Sequence, residues 1–127
     1  MKVIDIKPDK STPLVYMDAE NNQVMIEGRS YMENPQVFYE PIILWMREFL
    51  SVIDKESTLT LKIDYLNTSS TKMIMDILDL WEKYFKDGKK LSITWFYDPD
   101  NDFGLETGEE YKEDYTIPFN LVERKDK

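Results

Sequence analysis

Hydrophobic and polar positions alternate in several short parts of the chain, and this period of two predicts β-strands. In residues 58–66, every second side chain from Leu59 to Tyr65 is apolar, so these side chains are expected on one face. Two earlier runs flank a polar turn at residues 19–22, which predicts an antiparallel hairpin. The predicted strands cover residues 14–18, 23–28, 58–66, 91–97 and 115–122, and residues 3–6 form either a further strand or a loosely docked arm.

Two longer segments repeat their apolar positions every three or four residues, which predicts amphipathic helices. The first begins after Asn34, a candidate N-cap followed by a proline, and runs to about Asp54. Pro41 lies near its start, where it either costs little or separates a short entry turn from the main helix. The second has the clearest pattern in the chain, begins at residues 67–71 and stops at residues 87–88.

This order of elements predicts one α/β domain over residues 1–127. Strand–helix–strand units require parallel neighbours and right-handed crossovers, whereas the hairpin is antiparallel. The sequence therefore predicts a single mixed β-sheet with two long helices packed on it. Residues 98–114 are dense in carboxylates and interrupted by two glycines, and no regular element is predicted there before the last strand.

The composition excludes several kinds of chemistry. The chain has no cysteine and no histidine, which removes thiolate and imidazole nucleophiles, the common zinc sites and disulfides. No stretch approaches the ~20 apolar residues that cross a membrane, and the charged N-terminus does not resemble a secretory signal. We therefore expect a cytoplasmic protein that works without a cofactor or a metal.

The charge balance indicates the kind of partner. Sixteen basic and 25 acidic residues give a formal charge of −9, which repels nucleic acid and anionic membrane surfaces. The two basic runs, residues 86–90 and 124–127, are interpreted as ordinary solvated ends. We therefore expect a protein partner, with no nucleic acid and no membrane.

The carboxylates leave a function of another class open. Residues 98–102 superficially resemble a calcium loop, but Phe103 stands where such a loop needs glycine. Asp64, Asp76 and Asp79 fall on polar faces and give no sign of a catalytic carboxylate pair. A small metal-dependent hydrolase that uses the acidic C-terminal segment is the alternative to a regulatory protein.

The hydroxyl-rich turn Asn67-Thr68-Ser69-Ser70-Thr71 connects a predicted strand to the second helix. Unpaired N–H groups and the positive end of the dipole favour a phosphate at such a helix start. A phosphate would add about −1.5 to −2 charges and change the surface without unfolding the chain. From the residues alone two interpretations remain, because the same hydroxyls can simply cap the helix.

Segments spread over nearly the whole chain resemble the SiaC family of regulatory phosphoproteins. They are Gly28-Arg29-Ser30-Tyr31-Met32-Glu33-Asn34, Phe38-Tyr39-Glu40-Pro41 with Trp45, Tyr65-Leu66-Asn67-Thr68-Ser69-Ser70-Thr71-Lys72, Trp95-Phe96-Tyr97 and Gly108-Glu109-Glu110-Tyr111. This resemblance implies a fold like that of STAS-type anti-sigma-factor antagonists, with the phosphorylated residue at a helix N-terminus. Thr68 matches that position, and Met32 replaces a proline that the family usually has.

The resemblance also implies a partner-switching circuit. In it, a GHKL-type Ser/Thr kinase modifies Thr68 and a PP2C-like phosphatase restores it, and the unmodified form binds and activates a diguanylate cyclase in c-di-GMP and biofilm signalling. An anti-sigma-factor antagonist that acts on a GHKL-type kinase or anti-sigma factor is the alternative with the same switch. The sequence leaves open whether Ser69 and Ser70 are alternative phosphoacceptors. The implied partner-binding residues, some of which can equally form a plain hairpin-to-helix connection, are Arg29, Tyr31, Glu33, Asn34, Asn67, Ser69, Ser70 and Lys72.

Overall fold

Six strands and three helices follow one another in the computed structural model, which describes residues 1–125. In chain order they are β1 (Ile4–Ile6), β2 (Leu14–Asp18), β3 (Gln23–Ser30), α1 (Pro35–Val52), β4 (Ser57–Leu66), α2 (Thr68–Lys86), β5 (Leu91–Tyr97), α3 (Asp102–Asp114) and β6 (Phe119–Glu123). The prediction of a mixed α/β sheet with two long helices is confirmed, and a third helix is added to it.

The strands lie in the sheet in the order in which they occur in the chain. β1, β2 and β3 pair antiparallel, so the predicted hairpin is confirmed and residues 4–6 form an edge strand instead of a loose arm. β3, β4, β5 and β6 pair parallel. Right-handed crossovers that all advance in one direction place α1, α2 and α3 on the same face, and the carboxyl ends of the parallel strands meet at one edge.

The core lies between the sheet and the helices. Apolar side chains of β4 and β5 point to this face, while Thr58, Thr60 and Lys62 on the other face are half-buried. Among residues 1–125, no helix has the length and apolar content needed to cross a bilayer. The largest fully buried side chains are Trp81, Trp95, Tyr39, Phe49, Met17, Ile26, Ile42, Met46, Leu50, Leu59, Leu61 and Ile74.

A β-bulge changes the predicted face of Tyr65. The β3–β4 register runs from Gly28↔Ile63 to Arg29↔Tyr65, so β4 carries one extra residue, Asp64. The extra residue shifts the alternation, and Tyr65 is 42% exposed. The prediction that Tyr65 continues the buried stripe of β4 is therefore wrong.

The start of α1 differs in detail from the prediction. Asn34 occupies the cap position, but its side chain makes no capping hydrogen bond, whereas Pro35 stands at the first helical position. Pro41 lies inside a helix that continues without a break from Pro35 to Val52. Pro41 is the seventh residue of α1, past the first turn, so it removes the N–H that would donate to the carbonyl of Val37, and the helix continues despite the loss of this bond.

The helix α3 was not predicted because its buried side is built from glycines. The side chain of Asn101 accepts the backbone N–H of Phe103 at 3.1 Å and begins the helix. Gly104 and Gly108 then lie against β5, and a Cβ at Gly108 would come within 2.6 Å of the Trp95 ring. The two glycines that interrupt the apolar pattern therefore permit the helix to pack closely.

The C-terminal strand begins later than predicted. The carboxylate of Glu82 in α2 accepts the backbone N–H groups of Thr116 and Ile117, which ties this segment to the helix layer. β6 therefore begins only at Phe119, and the predicted strand at residues 115–122 is corrected to Phe119–Glu123.

The basic C-terminal run is not simply solvated. The guanidinium of Arg124 is largely buried and lies 3.2 Å from the Asp64 carboxylate and 3.6 Å from that of Glu27. Lys125 is exposed, and residues 126–127 lie outside the described part of the chain. Arg124 thus pairs with two carboxylates beside the bulge of β4.

Candidate functional site

The hydroxyl-rich turn lies at the carboxyl edge of the parallel strands, beside the loop that follows β3. The backbone N–H of Asn67 donates to the carbonyl of Ser30 at 3.0 Å, which extends the β3–β4 pairing into the turn. The sheet therefore fixes the point at which α2 begins.

Asn67 joins this turn to the loop after β3. Its side-chain oxygen accepts the backbone N–H of Ser70 at 2.9 Å, which is N-cap geometry. Its amide nitrogen donates to the carbonyl of Met32 at 3.2 Å, and the Ser69 hydroxyl donates to the same carbonyl at 3.3 Å. The loop is thus held through the backbone of Met32.

The four hydroxyls of the turn have different environments. Thr68 is exposed, and its hydroxyl makes no hydrogen bond within residues 1–125. Ser69 is half-buried and bonded to Met32, and the Thr71 hydroxyl donates to the carbonyl of Asn67 at 3.0 Å. Ser70 is 0% exposed. The structure therefore places Ser70, which was predicted as an alternative phosphoacceptor and a partner-binding residue, below the surface, because the third residue of α2 faces the sheet.

A chain of three hydroxyls, which we call the hydroxyl chain, runs through the core below the turn. The Tyr39 hydroxyl donates to the Ser30 hydroxyl at 2.8 Å, and the Ser30 hydroxyl donates to that of Ser70 at 2.8 Å. Burial raises the pKa of Tyr39 to about 12, against a smaller lowering by the bond to Ser30, so the phenol keeps its proton at neutral pH. The hydroxyl chain connects α1, β3 and α2.

A partly exposed row of rings, the aromatic row, crosses the same edge. It consists of Tyr31, Tyr65 and Phe103, with ring centroids 6.4 Å and 5.6 Å apart, and the Arg29 guanidinium lies 5.1 Å from the Tyr31 ring. Tyr31 is 37% exposed. Aromatic and arginine side chains dominate the energetics of protein interfaces, so this row is a candidate docking surface.

Two members of this surface were missed by the sequence prediction. Tyr65 was assigned to the buried stripe, because nothing in the alternation reveals the extra residue at Asp64. Phe103 was considered only as a mismatch to a calcium loop. The Asn101 cap and the following residues were the available signal that a helix would bring this ring to the edge.

The remaining predicted residues lie around this surface. Glu33 and Asn34 are exposed on the loop after β3, and Arg29, the residue before the end of that strand, is exposed as well. Lys72 lies one turn into α2, where its ammonium group is 3.4 Å from the Asp76 carboxylate. The edge therefore brings Arg29, Tyr31, Asn67, Thr68 and Ser69 to one side of the molecule, with Lys72 next to them.

The electrostatics of the turn suit an anion. The first turn of α2 contains no acidic residue, so the positive end of the helix is not neutralised from within.

The calcium-like segment, residues 98–102, does not form a calcium loop, because Asp98 accepts the backbone N–H of Asp100 and Asn101 caps α3. Among residues 1–125 no group of three or more acidic side chains has the geometry of a metal site.

Comparisons with known proteins agree on one group. A family model described as SiaC family regulatory phosphoprotein matches residues 6–124. An uncharacterized protein of Pseudomonas aeruginosa (strain UCBPP-PA14) is 37% identical over 121 residues, which are 95% of this chain and 96% of the relative.

Two solved structures from Pseudomonas aeruginosa have the same fold. Apo-SiaC superposes with a TM-score of 0.87 at 34% identity and covers 96% of this chain and 99% of its own. A crystal structure of the diguanylate cyclase SiaD in complex with its activator SiaC gives a TM-score of 0.89 at 36% identity, over 95% of this chain and 99% of that one.

Proposed function

We propose, from the premise that this chain belongs to the SiaC family of regulatory phosphoproteins, that Thr68 is its phosphoacceptor and that its unmodified form binds and activates a diguanylate cyclase. The family membership confirms the predictions of a regulatory role and of a non-enzymatic protein. The partner is inferred from the related complex, in which SiaC is the activator of the cyclase SiaD.

One observation carries the choice of acceptor. Among the four hydroxyls of the hydroxyl-rich turn, that of Thr68 is exposed and makes no hydrogen bond within residues 1–125, whereas those of Ser69, Ser70 and Thr71 are bonded. A kinase can therefore reach Thr68 without breaking an internal contact. The position at the start of α2 then favours the phosphorylated product electrostatically.

The modification is a reversible phosphoryl transfer. The Thr68 oxygen attacks the γ-phosphorus of a nucleoside triphosphate bound to the kinase. The bond from the γ-phosphorus to the oxygen that bridges it to the β-phosphate breaks, and the nucleoside diphosphate leaves. The hydroxyl proton passes to a base of the kinase or to water. In a separate hydrolysis, water attacks the phosphothreonine phosphorus, the bond from phosphorus to the Thr68 oxygen breaks, and inorganic phosphate and the Thr68 hydroxyl are released. We assign the two reactions to a GHKL-type Ser/Thr kinase and a PP2C-like phosphatase.

The switch acts through charge and bulk on the docking surface. In the unmodified protein the aromatic row and the neutral Thr68 side chain present a surface on which a partner can exclude water. A phosphate places about −1.5 to −2 charges beside this row, on a chain that already carries −9. A partner that fits the neutral surface would then have to bury an unpaired charge, so binding is lost while the fold is kept.

Phosphosite mapping and binding measurements test this proposal. The chain is incubated with a GHKL-type kinase and ATP, the phosphorylated residue is located by mass spectrometry, and binding to a SiaD-type diguanylate cyclase is measured by calorimetry. We expect phosphate on Thr68, full binding by Thr68→Ala and weak binding by Thr68→Asp.

A matched variant tests whether the position of the added charge matters, and not only the change in net charge. Asn120→Asp adds the same charge at an exposed position of β6, away from the carboxyl edge. It is expected to bind the cyclase like the wild type. Equal affinities of the wild-type, Thr68→Ala and Thr68→Asp proteins would refute the proposal.

A further inference from the structure

We infer that the hydroxyl chain Tyr39–Ser30–Ser70 determines which hydroxyl of the turn is phosphorylated, by seating the first turn of α2 so that only Thr68 is presented. This inference rests on the proposed function, because it concerns the selectivity of the same modification. It assigns a role to residues of α1 and β3 that are buried in the folded protein.

The turn itself does not discriminate by residue type. Residues 68–71 are all Thr or Ser, so each carries a hydroxyl of similar intrinsic reactivity. A helix start also frays easily, because its first N–H groups have no partner within the helix. If this turn opened, Ser69 and Ser70 would become accessible beside Thr68. A selective acceptor therefore requires that something outside the turn holds it closed.

The hydroxyl chain supplies that restraint from below. All three side chains are 0% exposed, and each link is 2.8 Å long. Ser70 can leave this position only if a hydroxyl bond breaks in the core and leaves a buried polar group without a partner, which is costly. Tyr39 lies in the N-terminal part of α1 and is buried, so the restraint is anchored to a helix that does not take part in the turn.

The restraint from above is weaker. Ser69 is held only by bonds of 3.3 Å to the Met32 carbonyl and 3.4 Å to the Asn67 side chain, both half-exposed. The side-chain oxygen of Asn67, which is also half-exposed, accepts the backbone N–H of Ser70 at 2.9 Å. The buried links are therefore the ones that water cannot replace.

Phosphosite distribution in core variants tests the inference. Ser30→Ala removes the central hydroxyl and breaks both links, and Tyr39→Phe removes one link while it keeps the ring that fills the core. With a GHKL-type kinase and ATP, we expect phosphate on Thr68 alone in the wild type. In Ser30→Ala we expect part of it on Ser69 and Ser70, with roughly tenfold faster amide exchange at Ser70 and Thr71. Tyr39→Phe is expected to shift the phosphosite distribution and the amide exchange rates in the same direction as Ser30→Ala, but by less.

The control is Ser57→Ala, at the opposite end of β4. Ser57 is also buried, and its hydroxyl donates to the Asn22 side chain at 2.6 Å, so this variant loses a comparable bond far from the turn. It should keep phosphate on Thr68 alone. Spreading to the same extent in Ser57→Ala as in Ser30→Ala would overturn the inference, because general destabilisation would then explain it.

The remaining outcomes separate the inference from the proposed function. Phosphate on Thr68 alone in both Ser30→Ala and Tyr39→Phe rejects the inference and leaves the proposed function standing. A wild-type protein that is modified elsewhere, or not at all, rejects both. If Ser30→Ala does not fold, the distribution in Tyr39→Phe decides, because that variant retains the packing of α1.

Discussion

The side-chain oxygen of Asn67 accepts the backbone N–H of Ser70, and this 2.9 Å bond marks the beginning of α2. The same side chain reaches the Met32 carbonyl with its amide group, so one residue serves both as a cap and as a connection to the neighbouring loop. By contrast, Asn34 occupies the corresponding position of α1 and makes no capping bond with its side chain.

The two asparagines predict different losses of stability. Asn67→Ala removes a cap and leaves the Met32 carbonyl with one donor fewer, so the free energy of unfolding should fall by about 1–2 kcal/mol. Asn34→Ala removes no such bond and should cost less than about 0.5 kcal/mol. Urea denaturation of both variants measures the difference. Equal losses would show that the Asn67 side chain does not cap the helix in solution.

The aromatic row is expected to contribute more to cyclase binding than to the stability of the fold. Tyr65→Ala removes a ring that is 42% exposed and contacts Tyr31 and Phe103, so it should weaken cyclase binding by about 1–2 kcal/mol and destabilise the fold much less. Calorimetric titration with a SiaD-type cyclase measures this. Val52→Ala, which truncates an exposed apolar side chain at the end of α1, is the control and should bind normally. Normal binding by Tyr65→Ala would remove the aromatic row from the docking surface.

The packing of α3 on β5 predicts that Gly108 does not tolerate a methyl group. A Cβ there would lie 2.6 Å and 2.7 Å from two atoms of the Trp95 ring and 2.8 Å from Leu121. Gly108→Ala should therefore destabilise the protein by about 1–3 kcal/mol, although alanine is the better helix former. Gly104→Ala, whose Cβ would come no closer than 3.3 Å to Tyr97, should cost less in the same urea titration. The opposite order would contradict the packing described here.

Asp18 predicts a pH dependence of stability. The side chain of Asn21, which donates to it at 2.7 Å, is the main cause that holds the pKa of Asp18 below its ordinary value. A carboxylate whose pKa is lower in the folded than in the unfolded state stabilises the fold above its ordinary pKa, and this contribution is lost as the pH falls through the folded value. The wild type should therefore lose this contribution to stability as the pH falls below about 4, the ordinary pKa of an aspartate.

The matching variant is Asp18→Asn, which cannot ionise. It should be less stable than the wild type at neutral pH and should depend less on pH in the acid range. Asp54→Asn, at an exposed position after α1, should retain the slope of the wild type. Urea midpoints measured from pH 7 to pH 3 decide the matter, and parallel curves for the wild type and Asp18→Asn would count against the assignment.

The parts of the fold that were predicted from the sequence are those that local patterns encode. The strands alternate and the helices α1 and α2 repeat every three or four residues, because one face of each element packs on the core. The hydroxyl-rich turn was located in the same way, since it lies between the two-residue alternation of β4 and the three- and four-residue repeat of α2. The direction of the sheet pairing then followed from the need for crossovers.

The features that were missed depend on contacts between distant segments. The extra residue at Asp64 is defined only by the register against β3, and it exposes Tyr65. The helix α3 lacks a wide apolar stripe because glycines make its closest contacts, so the three- and four-residue period is absent. The burial of Ser70 depends on hydroxyl partners in α1 and β3, which no pattern within α2 reveals.

Each strand of β1–β6 lies next to the strand that precedes it in the chain. A growing polypeptide therefore finds the neighbour of every new strand already in place, and no strand has to be inserted between two that have formed. Such a sheet can be assembled from its N-terminal edge as it leaves the ribosome. The order of synthesis is then also an order in which the molecule can fold.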